Sequence, residues 1–532
     1  MKTIPASRPV SVTKFAKAFA RATRSGNATV LAGAGISMVP PSSLPSGDDL
    51  RDHVVRTLSK GTGVEAIAKE LMHDQRYRNL LPERAFQRIF EAVGVEMHKA
   101  FSSLGTSRAN VVHSFLSRVA GRGCVVMTTN FDELIQQTDA TAKVLHLHGR
   151  LSDPTEMIIR IEQVGMGLLP NVSKSFQKAT RGRILFIIGY SGRDHDIMCA
   201  ISSAAPAEVW WLDRSTPAGL SAITALHPVV CCGDLRDVVR RACLLLGMPA
   251  PRSSSSSRAP KVPFPITAPL WRRFFCLAKL AGESGQLELS VKACTRMAAK
   301  VTRPSDVIYA ATQAIICLRE LGKLAEARRW LTLGLSAIRG ASDEEKAGIY
   351  NAQGYMALEE KTPRVRDALI ALMRAERHQH RFAASLAAVG RRRDAWVFLG
   401  RIHNNIGWAH QVGGQHAAAV AAYRESLRFK RGAGDLPGVA FTTANLARAH
   451  HLADDRKSAV RWRARARRLC RNAGMPGQEA YILFEMAEVA AKAGRKRMAA
   501  RQLSEAEALI AGMEHRQLQR RISQLQSQIS HA

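Results

Sequence analysis

Two hydrophobic patterns divide the chain. Over the first 250 residues, short apolar runs break abruptly into glycine, serine, asparagine, histidine or aspartate. Residues 29–31 lead to Gly33, Gly35 and Ser37; 124–128 lead to Asn130 and Asp132; 144–147 lead to His148; 184–188 lead to Gly189, Ser191 and Asp194; 209–212 lead to Asp213. Runs of this length and composition predict buried parallel strands. Between them apolar residues recur at helical spacing: Phe15, Ala18, Phe19 and Ala22, then Leu50, Val54, Val55 and Leu58, then Ala85, Ile89, Phe90 and Val93. These spacings predict a helix over 12–24 and a helical insertion between strands over 50–120. A smaller helical excursion is expected over 150–182. The stretch 38–47 carries three prolines and reads as a loop, of the kind that forms a lid beside a site.

From about residue 266 the strand pattern stops and Ala, Leu and Arg dominate. A 40-residue period aligns Gly407, Ala447 and Ala487, then Ala419, Ala459 and Ala499, then Ser426, Ala466 and Ala506. Small residues at fixed offsets let antiparallel helices pack closely, and turn residues fall between them at Gly413-Gly414, Asp454-Asp455 and Gly494. The pattern resembles tetratricopeptide (TPR) helix pairs with a longer period, and predicts about five or six pairs over 266–515. Such arrays bind proteins or peptides, or build oligomers. Between the two patterns, 249–265 holds Ser253 to Ser257 and five prolines, a linker by composition. The expected domains are therefore 1–248, the linker 249–265, and a helical repeat domain over 266–532.

Charge and cysteines change this picture modestly. The 532 residues carry a net charge of +33, which suits an anionic partner but also a spread of arginine over solvated helices. The stretch 456–471 has eight Lys/Arg and no acid; its arginines fall nearly every second residue and surround the helix, so a solvated face is favoured over nucleic-acid contact. Nine cysteines lie scattered without a C-x-x-C pair, which argues against a zinc site and for a reducing, cytoplasmic setting. No apolar run approaches a membrane span. Residues 1–26 are basic and free of acids, like a transit peptide, yet lead straight from a helix into the first strand and are read as part of the fold.

In an open parallel sheet, ligands sit where strands end in polar residues. Asp213 at such an end suits hydrogen bonding to adenosine ribose hydroxyls, and equally a surface turn. Asn130 and Asp132 also suit capping of a following helix. The ordered set Gly-Ala-Gly-Ile-Ser (33–37), Thr-Thr-Asn-Phe-Asp (128–132), His148-Gly149 and Gly189-Tyr-Ser191 resembles the sirtuin fold over roughly residues 10–250. The resemblance implies a Rossmann-like α/β domain that binds NAD+ and breaks its nicotinamide–ribose bond. It implies that Asn130 holds the ribose and an attacking water, that Asp132 binds the nicotinamide carboxamide, and that His148 acts as base. Gly33, Ala34, Gly35, Ser37, Gly189 and Ser191 would contact the pyrophosphate and adjoining ribose. His146 is the rival base; the His-Gly match favours His148 and leaves His146 structural.

The departures from that family narrow the expectation. The four-cysteine zinc module of protein deacetylase sirtuins has no counterpart, Thr129 stands where glutamine is usual, and 43–48 replaces their Gly-Ile-Pro-Asp-Phe-Arg stretch. Water is then the expected acceptor and no metal is expected. The motifs followed by helical repeats look like bacterial defence-associated sirtuin-like proteins. That resemblance implies an NAD+ hydrolase that acts in antiphage defence, is switched by a phage-derived or other protein trigger on the repeats, and forms a homo-oligomer. The alternatives are a protein deacylase or ADP-ribosyltransferase, and a non-catalytic NAD-binding scaffold.

Overall fold

The computed structural model describes residues 9–61, 63–94, 97, 101, 104, 107–251, 268–387, 395–473, 475–511 and 516–531. Most of the linker, 252–265, lies outside the described residues. The chain forms two compact units, Met1–Val54 with Gly94–Ile266, and Val55–Val93 with Thr267–Ala532.

The first unit is built on strands β1 (Ala28–Ala32), β2 (Val125–Thr128), β3 (Val144–His146), β4 (Ile184–Ile188), β5 (Glu208–Asp213) and β6 (Val229–Cys232). All pair in parallel, in the order β3-β2-β1-β4-β5-β6. This is the strand order of doubly wound sheets that bind dinucleotides, and its direction reverses between β1 and β4. The β6 strand has no counterpart in the sequence-based expectation; its Val-Val-Cys-Cys run is too short to stand out from a turn.

Alternation along the strands supplies two cores. One face of the sheet carries Val30, Val126, Phe186 and Trp210. It is covered by helices α1 (Val12–Arg24), α6 (Val111–Ala120) and α11 (Leu235–Leu245) through Phe15, Phe19, Phe115 and Val239. Phe186 meets Phe15 and Phe19 edge-on, with ring centroids 5.6 and 4.9 Å apart. The other face carries Leu31, Met127, Ile187 and Trp211, and is covered by Phe176 of α9 (Pro170–Thr180) and Ile197 and Ile201 of α10 (His195–Ala204). Truncating a core aromatic such as Phe186 to Ala costs about 3–5 kcal/mol. With both faces covered, each strand reads as continuously apolar, which is why the runs were visible in the sequence.

The second unit differs from the expected boundaries. Residues 55–93, expected as an insertion in the first domain, belong to the compact unit of the repeats. They include α3 (Glu65–His73), α4 (Gln75–Arg78) and α5 (Pro82–Val93), and α5 packs on α12 (Leu270–Glu283). Arg88 Nε donates to Glu283 Oε1 at 2.6 Å, Arg84 lies 3.4 Å from the same carboxylate, and Gln286 Nε2 donates to Leu71 O. Burial pushes the Glu283 carboxyl up, but Arg88 and Arg84 together outweigh it and hold it at about 2. Periodicity had shown that these helices have an apolar face; it could not show which surface covers it.

The remainder is a TPR-like array of antiparallel pairs. After α12 come α13 (Leu287–Ala298), α14 (Val307–Glu320), α15 (Leu324–Ser336), α16 (Asp343–Leu358) and α17 (Val365–Ala387). Then follow α18 (Trp396–Val412), α19 (His416–Gly432), α20 (Leu436–Leu452), α21 (Arg456–Asn472), α22 (Pro476–Lys492), α23 (Lys496–Ile510) and a last helix α24 (Arg516–His531). Six pairs precede α24 among the described residues. The first helices of the last three pairs start at 396, 436 and 476, so the 40-residue period is the length of one pair. Small residues sit where helices touch: a Cβ on Gly407 would fall 2.7 Å from the Tyr423 ring, and Ala447 and Ala487 are fully buried.

Candidate functional site at the strand ends

The strand order reverses between β1 and β4, so a crevice is expected over their carboxyl ends. The glycines there serve close approach first. Gly33 N–H donates to Ile188 O at 3.0 Å and Gly35 N–H to Gly189 O at 2.8 Å. A Cβ on Gly33 would lie 2.7 Å from Tyr190 Cα, and one on Gly35 2.8 Å from Gly189 O. Ile36 and Ser37 N–H groups close the 3₁₀ turn Ala34–Ile36 onto Gly33 O and Ala34 O. Of the five main-chain amides from Gly33 to Ser37, only that of Ala34 has no acceptor among the described residues, and Ala34 is exposed.

Ser37 is the centre of a buried hydrogen-bond cluster. Its Oγ donates to Asp132 Oδ2 at 2.8 Å and accepts from Asn130 Nδ2 at 3.0 Å. It also lies 3.0 Å from His113 Nε2. The His113 tautomer follows from its other nitrogen. Nδ1 accepts the Asn110 main-chain N–H at 3.1 Å, so the ring proton sits on Nε2 and donates to Ser37. The hydroxyl is thereby saturated, with one bond given and two received. Burial holds the His113 imidazole down at about 3, so it is neutral and acts as a donor, not as a base. Burial pushes the Asp132 carboxyl up, opposed by its bonds from Ser37, the Leu134 N–H and Asn130.

His113 and Asn110 escaped the reading of the sequence. Asn110 caps α6: its Oδ1 accepts from Val112 and His113 N–H, and its Nδ2 donates to Ile36 O and Val39 O. An asparagine just before an apolar run is an N-cap signal legible in the sequence; the histidine that completes the capping box stands where glutamate or glutamine is usual, and gave no such signal. The same bonds, with Ser42 Oγ on Arg108 O and Leu44 N–H on Ser37 O, tie down the proline loop that was expected as a lid.

The two β3 histidines divide their roles. His146 Nδ1 faces Asn130 O at 3.1 Å, and Gln136 Nε2 donates to His146 Nε2 at 2.7 Å. A carbonyl only accepts, so the ring proton is on Nδ1 and both nitrogens are occupied; His146 props the Asn130 backbone. His148 Nε2 instead lies 3.0 Å from Asp196 Oδ2. The Asp196 side chain is fully buried at the start of α10, and its Oδ1 accepts the Ile197 N–H. Asp194 flanks the same histidine; burial pushes its carboxyl up and His148 opposes this. Gly149 has φ +81°, and a Cβ there would strike Glu156 O at 2.5 Å, where the chain turns so that Ile158 N–H reaches His148 O. The His-Gly pair is thus a histidine followed by the one residue type that can make this turn.

Ser37, Asn130 and Asp132 are joined directly, while His148 belongs to its own pair with Asp196. Gly189, with φ +61°, packs against Ile36 N, and Ser191 is exposed just beyond it. Asp213 ends β5 half-buried, its Oδ1 accepting the Arg214 N–H at 2.7 Å; burial pushes its carboxyl up. The set offers an amide, carboxylates, a held imidazole and a main-chain N–H. That inventory suits a polar ligand that both donates and accepts hydrogen bonds. No group of three His, Cys, Asp or Glu placed to hold a metal occurs among the described residues, and no described helix is long and apolar enough to cross a membrane.

No protein-family model matches the chain, and no curated protein matches it. Among solved structures, a STAND protein with a tetratricopeptide repeat sensor from Pyrococcus horikoshii is similar over 95% of this chain and 84% of that one, at 11% identity and a TM-score of 0.33. A Rap protein complexed with Competence and Sporulation Factor is similar over 49% of this chain and 76% of its own, at 7% identity and a TM-score of 0.36. The TPR2AB domain of yeast Sti1, in a complex with Hsp90, is similar over 49% of this chain and 98% of its own, at 13% identity and a TM-score of 0.18.

Proposed function

We propose that the chain is a sirtuin-like NAD+ hydrolase that converts NAD+ to nicotinamide and ADP-ribose, held in check by its TPR-like array and serving as an effector of antiphage defence in the cytoplasm. One observation carries the reading: Ser37, Asn130 and Asp132, from the carboxyl ends of the neighbouring strands β1 and β2, form one saturated hydrogen-bond cluster next to the point where strand order reverses. A motif kept only for turns or helix caps needs no such convergence.

In this reading Asn130 orients a ribose hydroxyl and the attacking water, and Asp132 faces the nicotinamide carboxamide. Asp213 meets the adenosine ribose. The Ala34 amide and Ser191 are the groups left to face the pyrophosphate, since the Gly33 and Gly35 amides are taken by β4. Gly33, Gly35 and Gly189 then serve by letting two turns approach. The C1′–N bond breaks with its electron pair on nicotinamide, which leaves neutral; the water oxygen bonds C1′ and its proton goes to His148. Asp196 fixes the tautomer and angle of that imidazole. No metal is assigned a role.

The array has the form of a partner-binding surface. A phage-derived or other protein trigger, or self-assembly into a homo-oligomer, would shift resting protein to active protein through differential affinity. The test is full-length protein with NAD+, followed by chromatography for nicotinamide and ADP-ribose, alone and with phage-infected lysate. Release of both products, lost in Asn130→Ala, supports the reading. Deacetylation of an acetyl-lysine peptide coupled to NAD+ loss favours a deacylase instead. Binding without turnover in every condition leaves a non-catalytic scaffold.

A further inference from the structure

The eight cations of 456–471 looked evenly spread in sequence, and α21 sorts them. Arg463 is buried, with Ala459, Ala466 and Cys470 on the same inward face. Arg467 and Arg471 bond Glu479 and Glu505. Arg456 pairs with Asp454. Lys457, Arg461, Arg465 and Arg468 remain, all exposed and with no carboxylate partner among the described residues. Their spacing of four, four and three places them on one side of the helix. They form a straight stripe about 16 Å long, at ~1.5 Å per residue.

Another cation acts on this stripe from the neighbouring helix α19. Arg431, at the end of α19, is held below the usual arginine range by burial and by the neighbouring Arg465 guanidinium. Trp462, the aromatic of this face, is not free to stack. It packs on the cluster of Ala419, Tyr423 and Leu427, and the Arg465 guanidinium lies 5.5 Å over its ring. The outward residues between the cations are Val460 and Ala464.

We infer that this face of α21 binds the phosphate backbone of duplex DNA without reading its sequence. Clustered cations with no acid among them match a polyphosphate, and duplex DNA carries about one charge per 1.7 Å. Single-strand binding relies on aromatic stacking, which this face lacks. Duplex RNA is recognised through its 2′-hydroxyls, and Val460 and Ala464 cannot read them. The inference is independent of the proposed chemistry at the strand ends.

The test uses full-length protein and a fluorescent 20-base-pair duplex of mixed sequence, with anisotropy followed from 50 to 200 mM KCl. Four phosphate contacts contribute a log–log salt slope of about −3.6, or ~150-fold in affinity across that range. Glutamine at Lys457, Arg461, Arg465 and Arg468 together should reduce the slope by about that amount. Glutamine at Lys300, Arg328, Arg329 and Arg339, which are exposed elsewhere on the array, removes the same charge and should change it by less than about one. The triple variant R461K, R465K and R468K should keep affinity within about twofold, because a point charge suffices, and it controls for misfolding. Equal losses in the two glutamine variants would reduce the effect to total charge and overturn the inference. So would tighter binding to single-stranded DNA, to duplex RNA or to polyglutamate of equal charge.

Discussion

His113 gives the most quantitative handle on the candidate site. The ring is fully buried, receives the Asn110 N–H on Nδ1 and gives its proton to Ser37. Protonating it would place two N–H groups face to face in a fully buried site. The folded chain therefore refuses a proton until about pH 3, whereas the unfolded chain accepts one below 6.5. A histidine with a depressed folded value destabilises the fold as pH falls, because the unfolded state binds more protons. Between pH 7 and pH 5 this single group should remove about 2 kcal/mol. His113→Gln is the informative perturbation: its amide can donate to Ser37 and accept from Asn110, and it does not titrate. Urea unfolding of wild type and variant at pH 7 and pH 5 isolates the term as a difference, since other groups cancel. The wild type should lose about 2 kcal/mol more than the variant on acidification. Equal losses, within about 0.5 kcal/mol, would mean that His113 is neither neutral nor sequestered, and the proton inventory drawn around Ser37 would be wrong.

Four further outcomes are expected. Asn130→Ala and His148→Ala should each lower nicotinamide release per folded molecule by about 10²–10⁴-fold, and wild-type rates in either would remove it from the chemistry. His146→Ala should weaken turnover less than His148→Ala, and the reverse order, read from the same chromatograms, would exchange their roles. Gly35→Ala should destabilise the sheet unit by more than 1 kcal/mol, because its Cβ meets the Gly189 carbonyl at 2.8 Å; an unchanged urea midpoint would contradict the packing of the two turns. Asp196→Asn should leave NAD+ binding near wild type but shift the pH dependence of turnover, a profile that an unchanged His148 environment would not give.

Much of the sheet was legible because strands covered on both faces are apolar throughout and end abruptly. Ile184–Ile188 could be read to the residue, and five strand ends announced their polar residues. Repeat length was legible because small residues recur where helices touch. What stayed hidden depends on partners far along the chain. The glycine turn read as a phosphate cradle, but only the packed β4 end reveals that Gly33 and Gly35 give their amides to Ile188 and Gly189. Asp196 looked like any helix-start acid until His148 was placed against it. The cationic stripe emerges only after burial and pairing have accounted for half of the eight cations.

The assignment of residues 55–93 to the second compact unit has a consequence for synthesis. The α5 helix leaves the ribosome with Ala85, Phe86 and Ile89 ready for burial, but α12 begins at Leu270, 177 residues after Val93. At ~5–20 residues per second the wait is roughly 10–35 s. Throughout it an apolar helix face has nothing to cover it, while the sheet strands on either side of it in the sequence are being completed. The nascent chain must therefore hold this segment open, and a chaperone that engages apolar helices has its longest opportunity there. Cutting the chain at the start of the linker recreates that unfinished state permanently, so a fragment of residues 1–250 should aggregate even though its sheet is intact.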